Sequence, residues 1–423
     1  MSSFQIVEHI IPGQHIREHP HSVNGRQETA LQLAIKQYIP LDQPNPVPDN
    51  AVTVLGLHGN GFPQELYEPL WGHLYAHLKK QSVPLRGIWM ADVSNQGASG
   101  VLNEDIQGDT THWYDHSRDL LHMVNHFRDD MPRPIIGVAH SMGCAQLVHL
   151  SAIHPRLLST LILYEPIILD VGASRSQSEQ RNPAALVAHR RDLWESREKA
   201  EIGLRKSLRK WDPRVVDRYL EFGLRPVPTR LYNQHQDPQL PTSAVTLTTT
   251  KHQEMWTFAI PNLEPESAGL DRLLLADWDV QNERPYGFAR PECAAAMRDL
   301  PFLRPSVLWV FGGESYFSFA ASQDSKMHAT GTGAGGNGGV AKGMVEKAVI
   351  EGASHTLVFE EIDRSAEVAA DWVGRWFQSW LSDEKILADY QSKRSDRDML
   401  RVSEESLKTI RMTTWNKRPN GKL

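Results

Sequence analysis

Ser141 stands in Ala139-His140-Ser141-Met142-Gly143, directly after the β-rich run Ile135-Ile136-Gly137-Val138 and before Cys144-Ala-Gln-Leu-Val-His-Leu-Ser-Ala-Ile, whose apolar spacing is helical. A strand, a sharp turn bearing a serine and a helix together form a nucleophile elbow, which exposes the serine hydroxyl above a sheet. The turn is strained, so the residues two positions to either side of the serine must be small. Gly143 meets this requirement, and Ala139 takes the place of the usual first glycine while remaining small. Serine is also favoured at the start of ordinary helices, but that alternative leaves the preceding strand unexplained.

A serine hydroxyl is hardly ionised at neutral pH and needs a base. Among 19 histidines, His355 has the best placement, because Glu351-Gly-Ala-Ser-His355 follows the last apolar run and a loop there can return the imidazole to Ser141. His140 is expected to point into the packing of the turn, and His58 and His154 have no comparable placement. The base in turn needs a carboxylate to hold its tautomer and stabilise its charge. Glu165 ends the run Leu161-Ile-Leu-Tyr164, and Glu314 follows Val307–Phe311 through Gly312-Gly313. A carboxylate at an apolar strand end has the weaker alternative explanation, which favours Glu165 while Glu314 stays open. The loop His58-Gly59-Asn60-Gly61-Phe62-Pro63 is expected to lend the Phe62 N–H to an oxyanion, with the Met142 N–H as second donor. Asp92 to Ser99 reads as a structural loop.

The elements that must position these residues are short apolar runs: Leu31–Tyr38, Val52–Leu57, Gly87–Asp92, Ile135–Ala139, Leu161–Tyr164, Val307–Phe311 and Val345–Ile350, with helical stretches between them. Strands alternating with helices imply right-handed crossovers and an α/β architecture with a mostly parallel central sheet. The roughly 140 residues between Tyr164 and Val307 exceed any single crossover and imply an insertion. Residues 170–295 are therefore expected to form a mainly helical cap, over a core made of 1–169 and 296–382, with 383–423 as a C-terminal helix and tail. The run Gly331 to Gly339 lacks the Gly-Lys-Ser/Thr ending of a phosphate loop and reads as a flexible or tightly turned connection.

Composition narrows the function. The 423 residues carry 45 Lys+Arg against 51 Asp+Glu, a formal charge of -6, which gives no global field to attract nucleic acid or anionic membrane. Two cysteines are too few for a disulfide framework and suit a reducing compartment. No stretch approaches the roughly 20 apolar residues of a membrane span, and the N-terminus lacks the pattern of a secretory signal. Between Arg175 and Lys210, ten Lys/Arg face five Asp/Glu. This stretch reads either as a cradle for substrate phosphates or as a solvated helix face with internal ion pairs.

With these residues in this order, the chain resembles the α/β-hydrolase superfamily across residues 1–382, through His58-Gly59, Ala139–Gly143 and Gly352–His355. More narrowly, it is similar to the fungal toxin-biosynthesis hydrolases, a group that includes the peroxisomal acyl-CoA hydrolase of mycophenolic acid biosynthesis. That likeness rests on Gly61-Phe62-Pro63-Gln-Glu65-Leu-Tyr67-Glu-Pro-Leu-Trp71, His154-Pro155-Arg156-Leu157, Tyr164-Glu165-Pro166 and the glycines from Gly331. The resemblance implies a serine hydrolase that cleaves an acyl-CoA thioester, or a related ester, of a fungal secondary metabolite, without metal or organic cofactor. It also implies an acid after the strand that follows the nucleophile helix, which supports Glu165, although the relative carries Asp there. An acyltransferase or carbon–carbon bond hydrolase would use the same three residues, and a non-catalytic ligand-binding protein is expected to lose one of them. The ending Gly421-Lys422-Leu423, with Lys417 and Arg418 upstream, is similar to the Ser-Lys-Leu peroxisomal address. It implies an import receptor as partner and the peroxisomal matrix as location, with the cytoplasm as the alternative. A second copy of the chain, in a homodimer, is the other partner the reading allows.

Overall fold

The computed structural model describes residues 3–169, 183–264, 266–276, 287–318 and 320–415. The chain divides into two units, Met1–Val373 and Gly374–Leu423. The first is built on a sheet of eight strands: β1 (Phe4–Pro12), β2 (Gln32–Pro40), β3 (Val52–Leu57), β4 (Leu85–Ala91), β5 (Ile135–His140), β6 (Thr160–Tyr164), β12 (Ser306–Gly312) and β13 (Val345–Ile350). Their spatial order is β1-β2-β4-β3-β5-β6-β12-β13. β1, β2 and β4 pair antiparallel, and every later pairing is parallel.

The central strands β3, β5, β6 and β12 are buried along their whole length, as expected of near-continuous apolar runs covered on both faces. On one side, the helices Trp113–His126, Met142–Ile153 and Glu292–Asp299 join a single core in which Leu120, Met123, Leu147 and Ala296 meet Leu55, Leu57, Trp89 and Trp309. On the other, Trp71 of the helix Glu68–Lys80 approaches so closely that a Cβ on Gly56 would lie 2.9 Å from its ring. β1 has no counterpart among the apolar runs of the sequence. It is an edge strand on which only Phe4 and Ile11 are buried, and the polar Gln5, Glu8 and His9 break up its apolar run.

Between β6 and β12 the chain forms the helices Pro183–Ala188, Arg197–Ser207, Pro213–Phe222 and Lys251–Phe258, among others. It also forms short strands that the sequence does not announce. β7 (Leu193–Trp194), β8 (Leu224–Pro226) and β9 (Val245–Leu247) make a three-stranded sheet in the order β7-β9-β8, and β10 (Ile260–Pro261) pairs with β11 (Phe288–Ala289). Strands of two or three residues are too short to show a period. Trp194, Ala200, Val216, Leu220, Leu224, Val245 and Leu247 give the insertion a small core of its own.

The glycine run is a tight connection. Gly331 and Gly333 donate their N–H groups to Leu300 and Pro301 carbonyls, and a Cβ on Gly336 would lie 2.5 Å from the carbonyl oxygens of Gly331 and Pro301. Among the described residues no helix is long and apolar enough to cross a membrane. The second unit contains the C-terminal part of the helix Ile362–Ser392 and the helices Asp396–Leu400 and Glu404–Trp415. Asp396–Leu400 opens on a Ser395/Asp398 capping box.

Candidate active site

Ser141 has φ 57° and ψ −117°, a backbone conformation that residues with a Cβ rarely adopt. Two neighbours hold it there. Its N–H donates to the Tyr164 carbonyl at 2.9 Å, and its own carbonyl accepts the Ile167 N–H at 3.3 Å. The helix Met142–Ile153 starts hard against the end of β3, where a Cβ on Gly143 would lie 2.9 Å from the Leu57 and His58 carbonyl oxygens. Alanine at 139, at the end of the parallel pairing of β5 with β3 and beside Leu163 of β6, is compatible with the elbow.

Directly after β6 comes a second residue of positive φ, Glu165 at 49°. Its N–H donates to the Val310 carbonyl of β12, which turns the fully buried carboxylate across the ends of the two strands. The Gly312 N–H donates to Oε1 at 2.7 Å; the Ser315 and Ser318 hydroxyls donate to Oε2. His355 lies on the loop after β13. Its Nδ1 is 3.0 Å from Glu165 Oε2 and its Nε2 is 2.9 Å from Ser141 Oγ. A carboxylate only accepts, so Nδ1 carries the proton and Nε2 turns its lone pair to the serine hydroxyl. Phe317 covers the imidazole edge-on, with ring centroids 4.6 Å apart. Glu314 is elsewhere: it is exposed, and its carboxylate lies 3.8 Å from Lys210 Nζ.

A cavity of about 260 Å³ opens beside Ser141. Trp113, Ile167, Leu169, Phe258 and Tyr316 make its wall mostly apolar, and Asn60, Phe62 and Met142 border it near the serine. The Met142 N–H opens its helix and therefore has no acceptor within that helix. The Phe62 N–H, the other expected oxyanion donor, is turned instead to the Gly59 carbonyl at 3.3 Å, so it reaches an oxyanion only as a shared donor. His58 is structural. It accepts the Val93 N–H and donates to the Gly59 carbonyl, and burial pushes its pKa down to about 4.

Comparison with known proteins gives this geometry its family. The profile of the alpha/beta hydrolase family matches residues 54–371, which hold all three of these side chains. The chain belongs to the α/β hydrolase family. This hydrolase is 35% identical over 421 residues to the type I acyl-CoA thioesterase mpaH' of Penicillium brevicompactum, covering 96% of this chain and 95% of that protein. It is 36% identical over 386 residues to mpaH of Penicillium roqueforti, covering 88% and 87%. Among solved structures, the peroxisomal α/β-hydrolase Lpx1 of Saccharomyces cerevisiae shares the fold with a TM-score of 0.67 at 15% identity over 98% of both chains.

Other parts of the site carry little sequence signal. The hydroxyls of Ser315 and Ser318 that hold Glu165 come from a loop whose sequence pointed only to Glu314. His140 does pack into the turn, but both of its ring nitrogens are engaged, by Tyr67 and by the His355 backbone. From the insertion, Glu254 lines the cavity and is gripped by both terminal nitrogens of Arg190. Arg190 belongs to the basic stretch 175–210, and most of that stretch's described basic side chains have partners: Lys199 pairs within it with Glu195, whereas Arg205 pairs with Asp217, Lys210 with Glu314, and Arg197 with the Leu220 and Leu224 carbonyls, all outside it.

Proposed function

We propose that this hydrolase cleaves an acyl-CoA thioester of a fungal secondary metabolite through an acyl-enzyme on Ser141. The observation that carries the reading is His355, whose two ring nitrogens bridge Ser141 Oγ at 2.9 Å and Glu165 Oε2 at 3.0 Å beside the apolar cavity. Relatives at 35% and 36% identity named as type I acyl-CoA thioesterases support the thioester as the substrate class.

Ser141 Oγ attacks the thioester carbonyl carbon while His355 Nε2 takes its proton. Glu165 holds Nδ1–H and stabilises the imidazolium. Negative charge on the carbonyl oxygen is met by the Met142 N–H, with the Phe62 N–H shared from Gly59. Collapse breaks the carbon–sulfur bond, and the imidazolium returns its proton to the departing thiolate. A water molecule, deprotonated by the same Nε2, then attacks the acyl-serine, and the acid is released with Ser141 restored. The described part of the insertion between β6 and β12 acts as a cap, closing the acyl cavity with Glu254 and Phe258. The tail 383–423 ends in Gly421-Lys422-Leu423, outside the described residues, and this tripeptide supports a peroxisomal address.

The experiment is hydrolysis of decanoyl-CoA and of p-nitrophenyl butyrate by the purified chain and by Ser141→Ala, with fluorophosphonate labelling alongside. The variant is expected to lose roughly 10³-fold or more in kcat and all labelling while remaining folded. A variant that still turns over at the native rate removes Ser141 from the mechanism, and hydrolysis of the ester without the thioester removes the substrate class.

A further inference from the structure

We infer that His140 and Tyr67 are positioning residues for this reaction, tying the backbone of His355 to the loop His58–Phe62. The inference rests on the serine-hydrolase reading above.

His355 lies in a loop between β13 and the short helix Leu357–Glu360, with no ladder to hold its backbone. Its carbonyl oxygen is 2.9 Å from His140 Nε2. A carbonyl only accepts, so Nε2 carries the proton. Burial, with the nearby His355 ring as a second cause, pushes the His140 pKa down to about 3, so the ring is neutral and Nδ1 is a bare acceptor. The Tyr67 hydroxyl, 2.9 Å away, must then donate to Nδ1, and its oxygen accepts the Gly59 N–H at 2.8 Å. One placement of protons satisfies the whole chain: Gly59 N–H to Tyr67 oxygen, Tyr67 O–H to His140 Nδ1, and His140 Nε2–H to the His355 carbonyl.

The surroundings suit a rigid strut. Phe359 packs edge-on against both rings, at 5.1 Å from Tyr67 and 5.6 Å from His140, and Phe62 stacks on His140 at 5.9 Å. A Cβ on Gly59 would lie 3.1 Å from His140 Nδ1 and 3.2 Å from Ser141 Cβ, so the loop approaches as closely as glycine allows. Neither Tyr67 nor His140 borders the cavity. They act through other residues, by fixing three separate segments relative to one another: the elbow, the base and the oxyanion loop. A displacement of about 1 Å among such groups can cost about 100-fold in rate.

The test uses the full chain with His140→Asn, His140→Gln, Tyr67→Phe and Ser141→Ala, assayed on p-nitrophenyl butyrate and decanoyl-CoA, with thermal melts as a check on folding. His140→Asn, whose amide is too short to reach the His355 carbonyl, is expected to lose about 100-fold in kcat with KM within about twofold of wild type. The Gln side chain places its amide nitrogen near the position of Nε2 and is expected to recover kcat to within about tenfold of wild type, with Tyr67→Phe between the two. Native kcat in His140→Asn overturns the inference, as does a folded His140→Gln no better than Asn, or a loss expressed in KM alone. If the Asn variant does not fold, an unchanged kcat in Tyr67→Phe overturns it. Loss of activity in Ser141→Ala together with unaffected strut variants removes this inference alone, whereas an active Ser141→Ala removes the triad reading and this inference with it.

Discussion

Glu165 has four donors around it: the Gly312 N–H, the hydroxyls of Ser315 and Ser318, and the His355 ring. This arrangement makes the carboxylate hard to replace with its own amide. Gly312 N–H and His355 Nδ1–H are both donors, so the NH2 of a glutamine at 165 must face one of them. If it faces His355, it forces the imidazole to the tautomer that cannot take the serine proton. Glu165→Gln is therefore expected to lose up to about 10⁴ in kcat while circular dichroism shows the variant still folded. Glu314→Gln, exposed and 3.8 Å from Lys210, should leave kcat within about twofold, since surface ion pairs contribute little. Steady-state kinetics of the two variants, side by side, check the assignment. The reverse pattern would return the acid to the strand that ends at Gly312.

At the scale of elements, the elbow works because a helix begins directly on top of a strand end. Gly143 lies in the first turn of Met142–Ile153, and the atoms it would meet are the carbonyl oxygens of Leu57 and His58. These are backbone atoms at the end of a fully buried central strand, and they cannot swing aside as a flexible side chain would. Gly143→Ala should cost about 1–3 kcal/mol of unfolding free energy in a denaturant titration. It should also lower kcat, because the displaced residues lead into the loop proposed to meet the oxyanion. An alanine variant of native stability would mean that the strand end yields. The sheet and the insertion are tied in the same region: Asn60 Nδ2 donates to the Glu254 carbonyl, and the Glu254 carboxylate lies where a side chain on Gly61 would project.

The whole molecule carries a formal charge of -6 and is proposed to bind a substrate that bears phosphates. Long-range attraction does not help such an encounter, and the stretch 175–210 offers less free positive charge than its composition implies, because Arg190, Lys199, Arg205 and Lys210 have carboxylate partners. Delivery to a compartment where acyl-CoA is concentrated would offset weak attraction by mass action. A fluorescent protein fused to the N-terminus is expected to give peroxisomal puncta in a fungal host, and removal of residues 421–423 should spread the signal through the cytosol. Diffuse signal with the tripeptide intact would sink the address.

The sequence by itself determined the α/β architecture and the candidates at Ser141, at His355 and, with Glu314 still open, at Glu165, because each rests on a local pattern. Small residues around Ser141, a carboxylate stranded at the end of Leu161-Ile-Leu-Tyr164 and a histidine just past Val345–Ile350 can all be read within a few positions. Tertiary structure decided what these residues touch. The Phe62 N–H turns to Gly59, Ser315 and Ser318 settle on Glu165, and Arg190 closes on Glu254 across 64 positions. The strut from Gly59 through Tyr67 and His140 to His355 spans 215 positions in its last step alone. Such contacts leave no period or spacing in the chain. Each arises because adjacent strand ends, set by the sheet order β3-β5-β6-β12-β13, bring distant loops to one edge, where buried donors and acceptors must find partners.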